Sequence, residues 1–345
     1  MEEDAEKSLV SVLTGQVAKP PPIWLMRQAG RYLPEYREAR AQAGSFWSMC
    51  TDPKVAVEVT LQPVRRFGFD AAIIFSDILT VPFALGCEVG FSDGSGPNLP
   101  PVNSICGLET RAEIWQPKLD PVYQALELVR TRLGSGTTLL GFAGAPWTLA
   151  TYMAGSHGGD QQRAAKLWGY REPESFAALL ELIGDCVAQH LIWQIEAGAD
   201  VVQIFDSWAG GLPDQAYDSW VIGPTRSVVE KVRATHPQAK IIGFPRASTL
   251  AGYELYAART GVDAISVDTA VPRIWMVKFT EATVVQGNLD PLLLVVGGSA
   301  LERAVNCIVE SMNDRRFIFN LGHGVLPETP PEHVTQLVAM VRAVR

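Results

Sequence analysis

The feature that most constrains the fold of this chain is a repeated alternation between short apolar runs and long amphipathic stretches. The runs are nearly continuous in apolar residues, which is typical of parallel strands covered on both faces. In the stretches, apolar residues recur three or four positions apart, which is the period of a helix. The clearest runs are residues 70–75, 138–142, 200–205, 240–244, 263–267, 283–286 and 316–319. The clearest helical stretches are residues 173–197, 215–235, 300–313 and 331–345.

Repeated strand and helix units predict an α/β fold. We predict a single-domain (β/α)8 barrel of the TIM type over residues 1–345, with residues 1–7 forming a loose N-terminus. The eighth strand is expected either before Arg27 or near residues 87–91. The alternative is an open doubly wound sheet, but no Gly-x-Gly-x-x-Gly turn follows the first strand. Residues 86–117 and 155–160 are predicted to be loops over the barrel mouth.

Composition and charge restrict the classes of function. Hydrophobic residues make up 47% of the chain and charged residues 19%, which predicts a compact protein with a large core. The net charge is -8 and basic clusters are absent beyond residue 40, so we predict no nucleic-acid partner. The apolar runs are short and the acidic N-terminus lacks a signal-peptide pattern. We therefore predict no membrane segment and a cytoplasmic location.

The cysteines and histidines predict no metal site local in the sequence. The five cysteines lie at wide spacings without a Cys-x-x-Cys pair and are expected to be reduced. The five histidines form neither a His-Glu-x-x-His nor a His-x-Cys arrangement. A metal site assembled from ligands that are distant in the sequence stays open at this stage.

Four arginines, Arg27, Arg31, Arg37 and Arg40, are concentrated in one short segment of this acidic chain. Arg37 and Arg40 stand beside glutamates, and we expect them to form surface ion pairs with these neighbours. Arg27 and Arg31 have no acidic neighbour, which indicates a local site for carboxylates or phosphates. The alternative is an ordinary amphipathic stretch with exposed arginines.

In barrel enzymes the active site forms at the C-terminal ends of the strands, so the residues that follow each run are candidates. Many of these residues are polar, although Asp and Ser at such positions often only cap a helix. The candidates are residues 76–77, 144–147 with 152, 206–208, 245–246, 268, 287–290 and 320–323.

Asp77 stands out among these candidates because apolar residues precede and follow it, which predicts a carboxylate in a dry environment. It either caps a helix, pairs with Arg27 or Arg31, or presents negative charge to a cationic or N–H-rich ligand. Tyr152 is either a core aromatic or a hydroxyl donor. The glycines that flank His323 indicate either a tight turn or close approach of a ligand to the backbone.

Five segments together resemble the uroporphyrinogen decarboxylase family: residues 27–36 (RQAGRYLPEY), 74–78 (IFSDI), 141–148 (GFAGAPWT), 287–291 (GNLDP) and 320–324 (NLGHG). They follow the order of the family, and the resemblance covers nearly the whole chain. It implies a homodimeric barrel that converts the four acetate side chains of uroporphyrinogen III to methyl groups. The products are coproporphyrinogen III and four molecules of CO2, on the route to haem and chlorophyll. No metal or organic cofactor is implied.

The resemblance also implies roles for individual residues. Asp77 is expected to accept hydrogen bonds from pyrrole N–H groups and to stabilise a substrate cation, with Arg27 and Tyr152 as further catalytic residues. Arg27 is expected to act first as an electrostatic clamp, and Tyr152 and His323 stay open as proton carriers. Residues 244–248 depart from the family pattern, so no site residue is assigned there. The implied substrate-binding residues are Arg27, Gln28, Ala29, Gly30, Arg31, Phe46, Asp77, Tyr152, Ser207 and His323.

Two other functions stay open at this stage. A zinc-dependent methyltransferase of the same barrel superfamily would need histidine and cysteine ligands at the rim, and it would leave the arginines unexplained. A non-catalytic porphyrin carrier would need the arginines and an apolar pocket, but it would not need the buried Asp77.

Overall fold

The computed structural model describes residues 6–92, 96–155 and 161–343. Seven of its strands form one parallel sheet, in the order β1, β4, β5, β6, β7, β8 and β9, while β2 and β3 form an antiparallel ribbon. All of the predicted runs are strands of the parallel sheet. The strands are β1 (Ala71–Ile73), β2 (Gly90–Ser92), β3 (Gly96–Asn98), β4 (Thr138–Gly144), β5 (Val201–Asp206), β6 (Lys240–Pro245), β7 (Ala264–Ser266), β8 (Val284–Leu289) and β9 (Phe317–Leu321).

The segment around Ile23 occupies the eighth strand position. Ile23 pairs in parallel with Phe319 of β9. On its other side, the amide of Asp70, which precedes β1, donates to the Ile23 carbonyl at 3.0 Å. The segment therefore joins the two edges of the sheet and closes the ring, which confirms the TIM-type barrel. The other predicted location, residues 87–91, leads instead into the β2–β3 ribbon.

Three aspartates tie neighbouring strands together at the N-terminal end of the barrel. Asp70, Asp200 and Asp263 each precede a strand. Each carboxylate accepts a hydrogen bond at 2.8 Å from a backbone amide at the start of the neighbouring strand in the ring. For Asp70 this amide belongs to Ile23, as expected if that segment is a strand of the ring. Asp200 also pairs with Lys7 at 2.6 Å. Residues 1–5 lie outside the described ranges, so the loose N-terminus over residues 1–7 stays a prediction.

Helices cover the outside of the ring. The predicted stretch 215–235 is one continuous helical segment, because a π-helical turn, Asp218–Ile222, joins α11 to α12. The helices are α1 (Ser8–Leu13), α2 (Pro34–Ala43), α3 (Phe46–Thr51), α4 (Pro53–Phe67), α5 (Thr80–Ala84), α6 (Ala112–Trp115), α7 (Asp120–Arg130), α8 (Pro146–Ala154), α9 (Gln161–Arg171), α10 (Pro173–Glu196), α11 (Asp214–Tyr217), α12 (Gly223–Thr235), α13 (Leu250–Thr260), α14 (Arg273–Phe279), α15 (Pro291–Val296), α16 (Gly298–Ser311) and α17 (Pro331–Arg342), with a 3-10 turn at Gln116–Lys118.

The core has two parts. The larger part lies between the sheet and the surrounding helices. The smaller part fills the barrel interior, where residues such as Leu140, Val201 and Ile318 meet Leu9 and Val12 of α1. Helix α1 therefore closes the N-terminal end of the barrel, which leaves the opposite end for a site.

Helix α10 is the one helix in the described ranges that is long and apolar enough to span a membrane, by length and composition only. Most of its apolar face is buried in the protein. The Gln194 side chain bonds both the amide and the carbonyl of Phe142 on β4, at 2.8 and 2.9 Å. Gly141 beside Phe142 leaves room for this contact, since a Cβ there would lie 2.5 Å from Gln194 Oε1. Helix α10 is thus a core helix attached to the sheet.

The loop regions predicted at the barrel mouth contain more structure than expected. The stretch 86–117 includes the β2–β3 ribbon and α6. Residues 156–160 of the second predicted loop lie outside the described ranges. Phe91 of the ribbon lines the cavity at the strand ends, so part of the first loop does reach the mouth.

Candidate active site

Arg27 lies in a tight turn that follows the closing strand of the barrel. The Gln28 amide donates to the Leu25 carbonyl at 3.0 Å, and Arg27 adopts the left-handed conformation with φ of 59°. A left-handed arginine costs about 1 kcal/mol, and such strain is kept where the surrounding structure enforces it. Here the Tyr32 hydroxyl enforces it by donating to the Gln28 carbonyl at 2.7 Å. The turn holds the exposed guanidinium of Arg27 at the barrel mouth.

Gln28, Ala29 and Gly30 form the rest of this turn. The Gln28 side chain is fully buried. It accepts from the Leu25 amide at 3.1 Å and donates to the Ala71 carbonyl of β1 at 3.1 Å. Both ends of the side chain are thus bonded to main chain, which holds the turn beside Arg27 in place. Gln28 also lines the cavity, and its role in binding substrate stays a prediction.

The other arginines of the segment have different surroundings. Arg31 is exposed and lines the cavity mouth. Arg37 donates to the Arg31 carbonyl at 2.8 Å, and Arg40 lies over the ring of Phe46 at 5.6 Å. Of the two glutamates, Glu35 and Glu38, expected to pair with Arg37 and Arg40, Glu35 pairs instead with Arg66 of α4 at 3.2 Å. The helix-neighbour pairing prediction is wrong for Glu35, because α2 packs against α4.

Asp77 follows β1 and lines the cavity. One carboxylate oxygen accepts from the Leu79 amide at 2.9 Å. Burial raises the pKa of Asp77 to about 6, although this hydrogen bond and the positive charge of Arg27 act in the opposite direction. Among the described residues no arginine or lysine forms an ion pair with it. Of the three predicted alternatives, the carboxylate thus combines a local amide contact with a place in the cavity lining, while its role toward a ligand stays a prediction.

Ser207 and Tyr152 come from adjacent positions of the ring. Ser207 follows β5, in a loop held by Thr148: the Thr148 hydroxyl donates to Asp206 at 2.5 Å and accepts from the Trp208 amide at 3.1 Å. Tyr152 on α8 packs edge-on against Trp208, with ring centroids 6.3 Å apart. Burial raises the pKa of Tyr152, so its hydroxyl stays protonated at neutral pH.

His323 follows β9 between two glycines. A Cβ at Gly322 would lie 2.2 Å from the Thr269 amide nitrogen, and one at Gly324 would lie 2.3 Å from Arg27 Cδ. The glycines therefore allow close packing of protein atoms, and neither has a positive φ. Burial lowers the pKa of His323 to about 4, and the charges of Arg27 and Arg246 contribute to the shift. The imidazole is neutral at physiological pH.

A single cavity of about 430 Å³ at the C-terminal ends of the strands brings together every catalytic and substrate-binding residue that the family resemblance implies. The other candidates that follow strands, such as Asp206 and Asp268, do not line it. Phe46, at the start of α3, belongs to its aromatic wall and meets the ring of Phe91 at 5.0 Å. A cluster on the opposite wall places Phe205 5.6 Å from Phe142 and 6.2 Å from Phe244. Apolar walls with a few converging polar groups are the usual composition of a small-molecule site.

Two features of the barrel mouth were not predicted from the sequence: an aromatic wall of the cavity and the position of Arg246 near Tyr152 and His323. The aromatic residues of β4, β5 and β6 were treated only as strand residues, although inward-facing side chains at the upper ends of barrel strands border the mouth. Arg246 after β6 was recognised as a rim residue but was not assigned to the site, because its segment departs from the family pattern. Its charge nevertheless acts on both Tyr152 and His323.

Other parts of the described chain offer less chemistry. A larger groove of about 740 Å³ lies on the outside of the ring between α9, α10 and α12, and Glu181 is its one charged lining residue. No group of three histidine, cysteine or acidic side chains in the described ranges lies close enough to hold a metal ion. The site is therefore assigned to the cavity at the strand ends.

Comparison with known proteins identifies the family of this chain. Residues 4–344 match the family described as Uroporphyrinogen decarboxylase (URO-D). A uroporphyrinogen decarboxylase of Mesorhizobium japonicum is 50% identical over 335 residues, which cover 97% of each chain. One of Brucella canis is 50% identical over 338 residues, covering 97% of this chain and 98% of the relative. The chain belongs to the uroporphyrinogen decarboxylase family.

Solved structures show how widely this fold is shared. A methyltransferase from Methanosarcina mazei superposes with a TM-score of 0.80 at 18% identity, covering 98% of both chains. A B12-independent methionine synthase from Shewanella sp. superposes with a TM-score of 0.56 at 10% identity, covering 84% of this chain and 88% of the other. At such low identity these similarities concern the fold alone. Membership of the uroporphyrinogen decarboxylase family rests on the sequence matches, and the methyltransferase alternative is not favoured.

Proposed function

We propose that this chain is a carboxy-lyase that decarboxylates the four acetate side chains of uroporphyrinogen III to give coproporphyrinogen III. The observation that carries the proposal is the arrangement of Asp77 and Arg27. In the described part of the chain, the half-buried carboxylate of Asp77 and the exposed guanidinium of Arg27 each lack an ion-pair partner, and both line one aromatic-walled cavity. Such a cavity suits a ligand with a polar N–H centre, an apolar body and an anionic edge.

The arginines fit the edge of this substrate. Uroporphyrinogen carries eight carboxylates, and an acidic chain of net charge -8 would repel it without local positive charge. Arg27 and Arg31 supply that charge at the mouth. Guanidinium groups bind carboxylates through two parallel hydrogen bonds, which an ammonium group cannot do.

Asp77 fits the centre of the substrate. An ionised carboxylate accepts hydrogen bonds only, so it suits the four pyrrole N–H groups at the centre of the macrocycle. The Leu79 amide occupies part of one oxygen, and the remaining acceptor capacity faces the cavity. In this orientation the acetates at the periphery approach Arg27 and Arg31, while the rings lie against the phenylalanines.

The chemistry follows from the need to accept an electron pair. Protonation of a pyrrole carbon makes the ring cationic. The bond between the acetate methylene and its carboxylate then breaks, CO2 leaves, and the electron pair neutralises the ring. A proton adds to the exocyclic methylene to form the methyl group, and the ring proton is lost, so each acetate consumes one proton overall. The fixed charge of Asp77 stabilises the cation in a poorly solvated cavity.

Tyr152 and His323 are placed to handle protons in this scheme. Burial keeps the Tyr152 hydroxyl protonated, so it can donate a hydrogen bond to a substrate carboxylate. His323 is neutral because its pKa is lowered to about 4, so it offers one N–H donor and one acceptor. Because Tyr152 and His323 are both neutral, they add no positive charge to that of Arg27 and Arg31.

The proposal extends to assembly and location. We expect a homodimer, as in the family, and a cytoplasmic enzyme. The five free cysteines suit a reducing compartment. Size-exclusion chromatography with light scattering tests the dimer, and a single species at the mass of one 37.5 kDa chain would contradict it.

Anaerobic incubation with uroporphyrinogen III tests the activity directly. The product, oxidised to porphyrin and separated by carboxylate number, should accumulate as the tetracarboxylate. The rate should be the same after treatment with a chelator. Unchanged octacarboxylate with tight binding would indicate a carrier, and loss of activity on chelation would indicate a metal-dependent reaction.

A further inference from the structure

Arg246 lies at the same end of the barrel as Arg27 but on the opposite side of the ring. Counting from the closing segment around Ile23, the strand positions run through β1, β4 and β5 to β6. Arg27 follows the first position and Arg246 follows the fifth. In a ring of eight these positions face each other, so the two arginines border opposite edges of the mouth.

The turn that carries Arg246 is fixed from three sides. The Arg246 amide donates to the Asp206 carbonyl of β5 at 3.0 Å. The next residue, Ala247, has a left-handed φ of 61° and donates its amide to Asp268 at 2.6 Å. Gly210 packs so closely that a Cβ there would lie 2.3 Å from the Ala247 carbonyl oxygen. Such strain in an alanine persists only where its surroundings impose it, and the turn resembles that of Arg27 in this respect.

The Arg246 guanidinium has no hydrogen bond or ion pair in the described part of the chain, although the side chain is half-buried. The nearby carboxylate of Asp268 is already occupied by the amides of Ala247 and Ala270 and by the Tyr253 hydroxyl. The charge of Arg246 is nevertheless close enough to influence His323 and Tyr152, which both line the cavity. A half-buried cation without a protein anion is suited to an anion from a ligand.

We propose that Arg246 binds a peripheral carboxylate of the substrate, at the edge of the macrocycle opposite Arg27 and Arg31. This inference rests on the proposed function and deepens it. The macrocycle is then held by cations at two opposite edges, with Asp77 below its centre. Since this carboxylate is bound equally before and during the reaction, Arg246 contributes to substrate affinity rather than to the chemical step.

The test compares Arg246→Gln and Arg246→Lys with the unmodified protein. Loss of a charge-assisted hydrogen bond should raise KM for uroporphyrinogen III about tenfold in Arg246→Gln, with kcat within about twofold. Arg246→Lys should recover part of the affinity. The matched control is Arg226→Gln, which changes an exposed arginine of α12 whose contact with Glu230 is 3.9 Å long, and its KM should be unchanged.

Binding measurements separate this inference from the proposed function. Quenching of porphyrin fluorescence gives affinities for uroporphyrin, which has acetates and propionates, and coproporphyrin, which has propionates only. Weaker binding of both to Arg246→Gln assigns a propionate, and weaker binding of uroporphyrin alone assigns an acetate.

If the unmodified protein turns over but Arg246→Gln keeps its KM and both affinities, the inference is overturned. A changed kcat and pH profile at unchanged KM would overturn it too, because Arg246 would then act only through His323. Absence of turnover in the unmodified protein would overturn the proposed function itself.

Discussion

Arg27 packs directly on Gly324, so closely that a Cβ atom at Gly324 would lie 2.3 Å from Arg27 Cδ. The glycine on one side of His323 thus determines where the guanidinium of Arg27 can lie. Arg27 is also held in a strained left-handed turn. Its position is therefore fixed by its own backbone and by a segment almost three hundred residues later in the chain.

We predict that Gly324→Ala displaces the Arg27 side chain and raises KM for uroporphyrinogen III about tenfold, with a loss of stability below about 2 kcal/mol. Steady-state kinetics and urea unfolding measure the two effects. The matched control is Gly134→Ala, where the added Cβ meets its nearest neighbour at 3.9 Å. An unchanged KM in Gly324→Ala would show that the position of Arg27 does not limit binding.

A second prediction concerns the pH dependence of catalysis. Burial raises the pKa of Asp77 to about 6, and the proposed role needs the ionised form. The ratio kcat/KM should therefore rise about tenfold per pH unit below pH 6 and level off above it. His323, with a pKa lowered to about 4, titrates below this range. A profile that is flat between pH 5 and pH 7 would contradict the assignment.

A third prediction concerns the aspartates at the other end of the barrel. Asp263 accepts the Ile241 amide at 2.8 Å and pairs with Arg233 at 2.9 Å. Asp263→Ala should lower the free energy of unfolding by about 2–3 kcal/mol, because a buried amide loses its acceptor, while kcat is unchanged. The control Asp185→Ala removes an exposed pair with Lys231 and should cost less than about 1 kcal/mol. Equal losses in the two variants would contradict the prediction.

A fourth prediction concerns stability in acid. His190 on α10 is buried, bonds the Tyr123 hydroxyl at 2.8 Å, and has its pKa lowered by burial from 6.5 to about 3. Between these values the unfolded chain binds a proton that the folded protein does not. The free energy of unfolding should therefore fall as the pH falls below 6.5, by about 1.4 kcal/mol per unit for this group.

His190→Gln should remove this contribution. Urea unfolding between pH 7 and pH 5 should give a pH slope for the variant that is shallower by about one proton than that of the unmodified protein. Parallel slopes would contradict the prediction, because they would show that the folded protein protonates His190 as readily as the unfolded chain does.

Much of the fold could be predicted because the strands of a covered parallel sheet are continuous apolar runs. The eighth strand could be narrowed only to two locations, because the segment around Ile23 is short and its partners, Asp70 and Phe319, are distant from it in the sequence. The pairing of Arg66 with Glu35 was missed for a related reason. Sequence spacing predicts neighbours on one helix, whereas this pair depends on the packing of two helices.

The residues of the candidate site could be predicted from the sequence more readily than the geometry of their contacts. Residues that follow parallel strands must meet at one end of a barrel, so Asp77 and His323 were expected to be close. The sequence could not indicate that the Gln28 side chain is bonded entirely to main chain. It also could not indicate that Arg246 has no protein partner, because this depends on which amides already occupy Asp268.

The charge of Asp77 is central to the proposed reaction, and Asp77→Asn tests that charge most directly. The variant keeps the size of the side chain and the acceptor for the Leu79 amide. Anaerobic single-turnover conversion of uroporphyrinogen III, followed by separation of porphyrins by carboxylate number, gives the decarboxylation rate. We predict a loss of at least about a hundredfold, with an unchanged unfolding midpoint and retained uroporphyrin binding. A folded Asp77→Asn protein with a rate within tenfold of the unmodified protein would contradict the account.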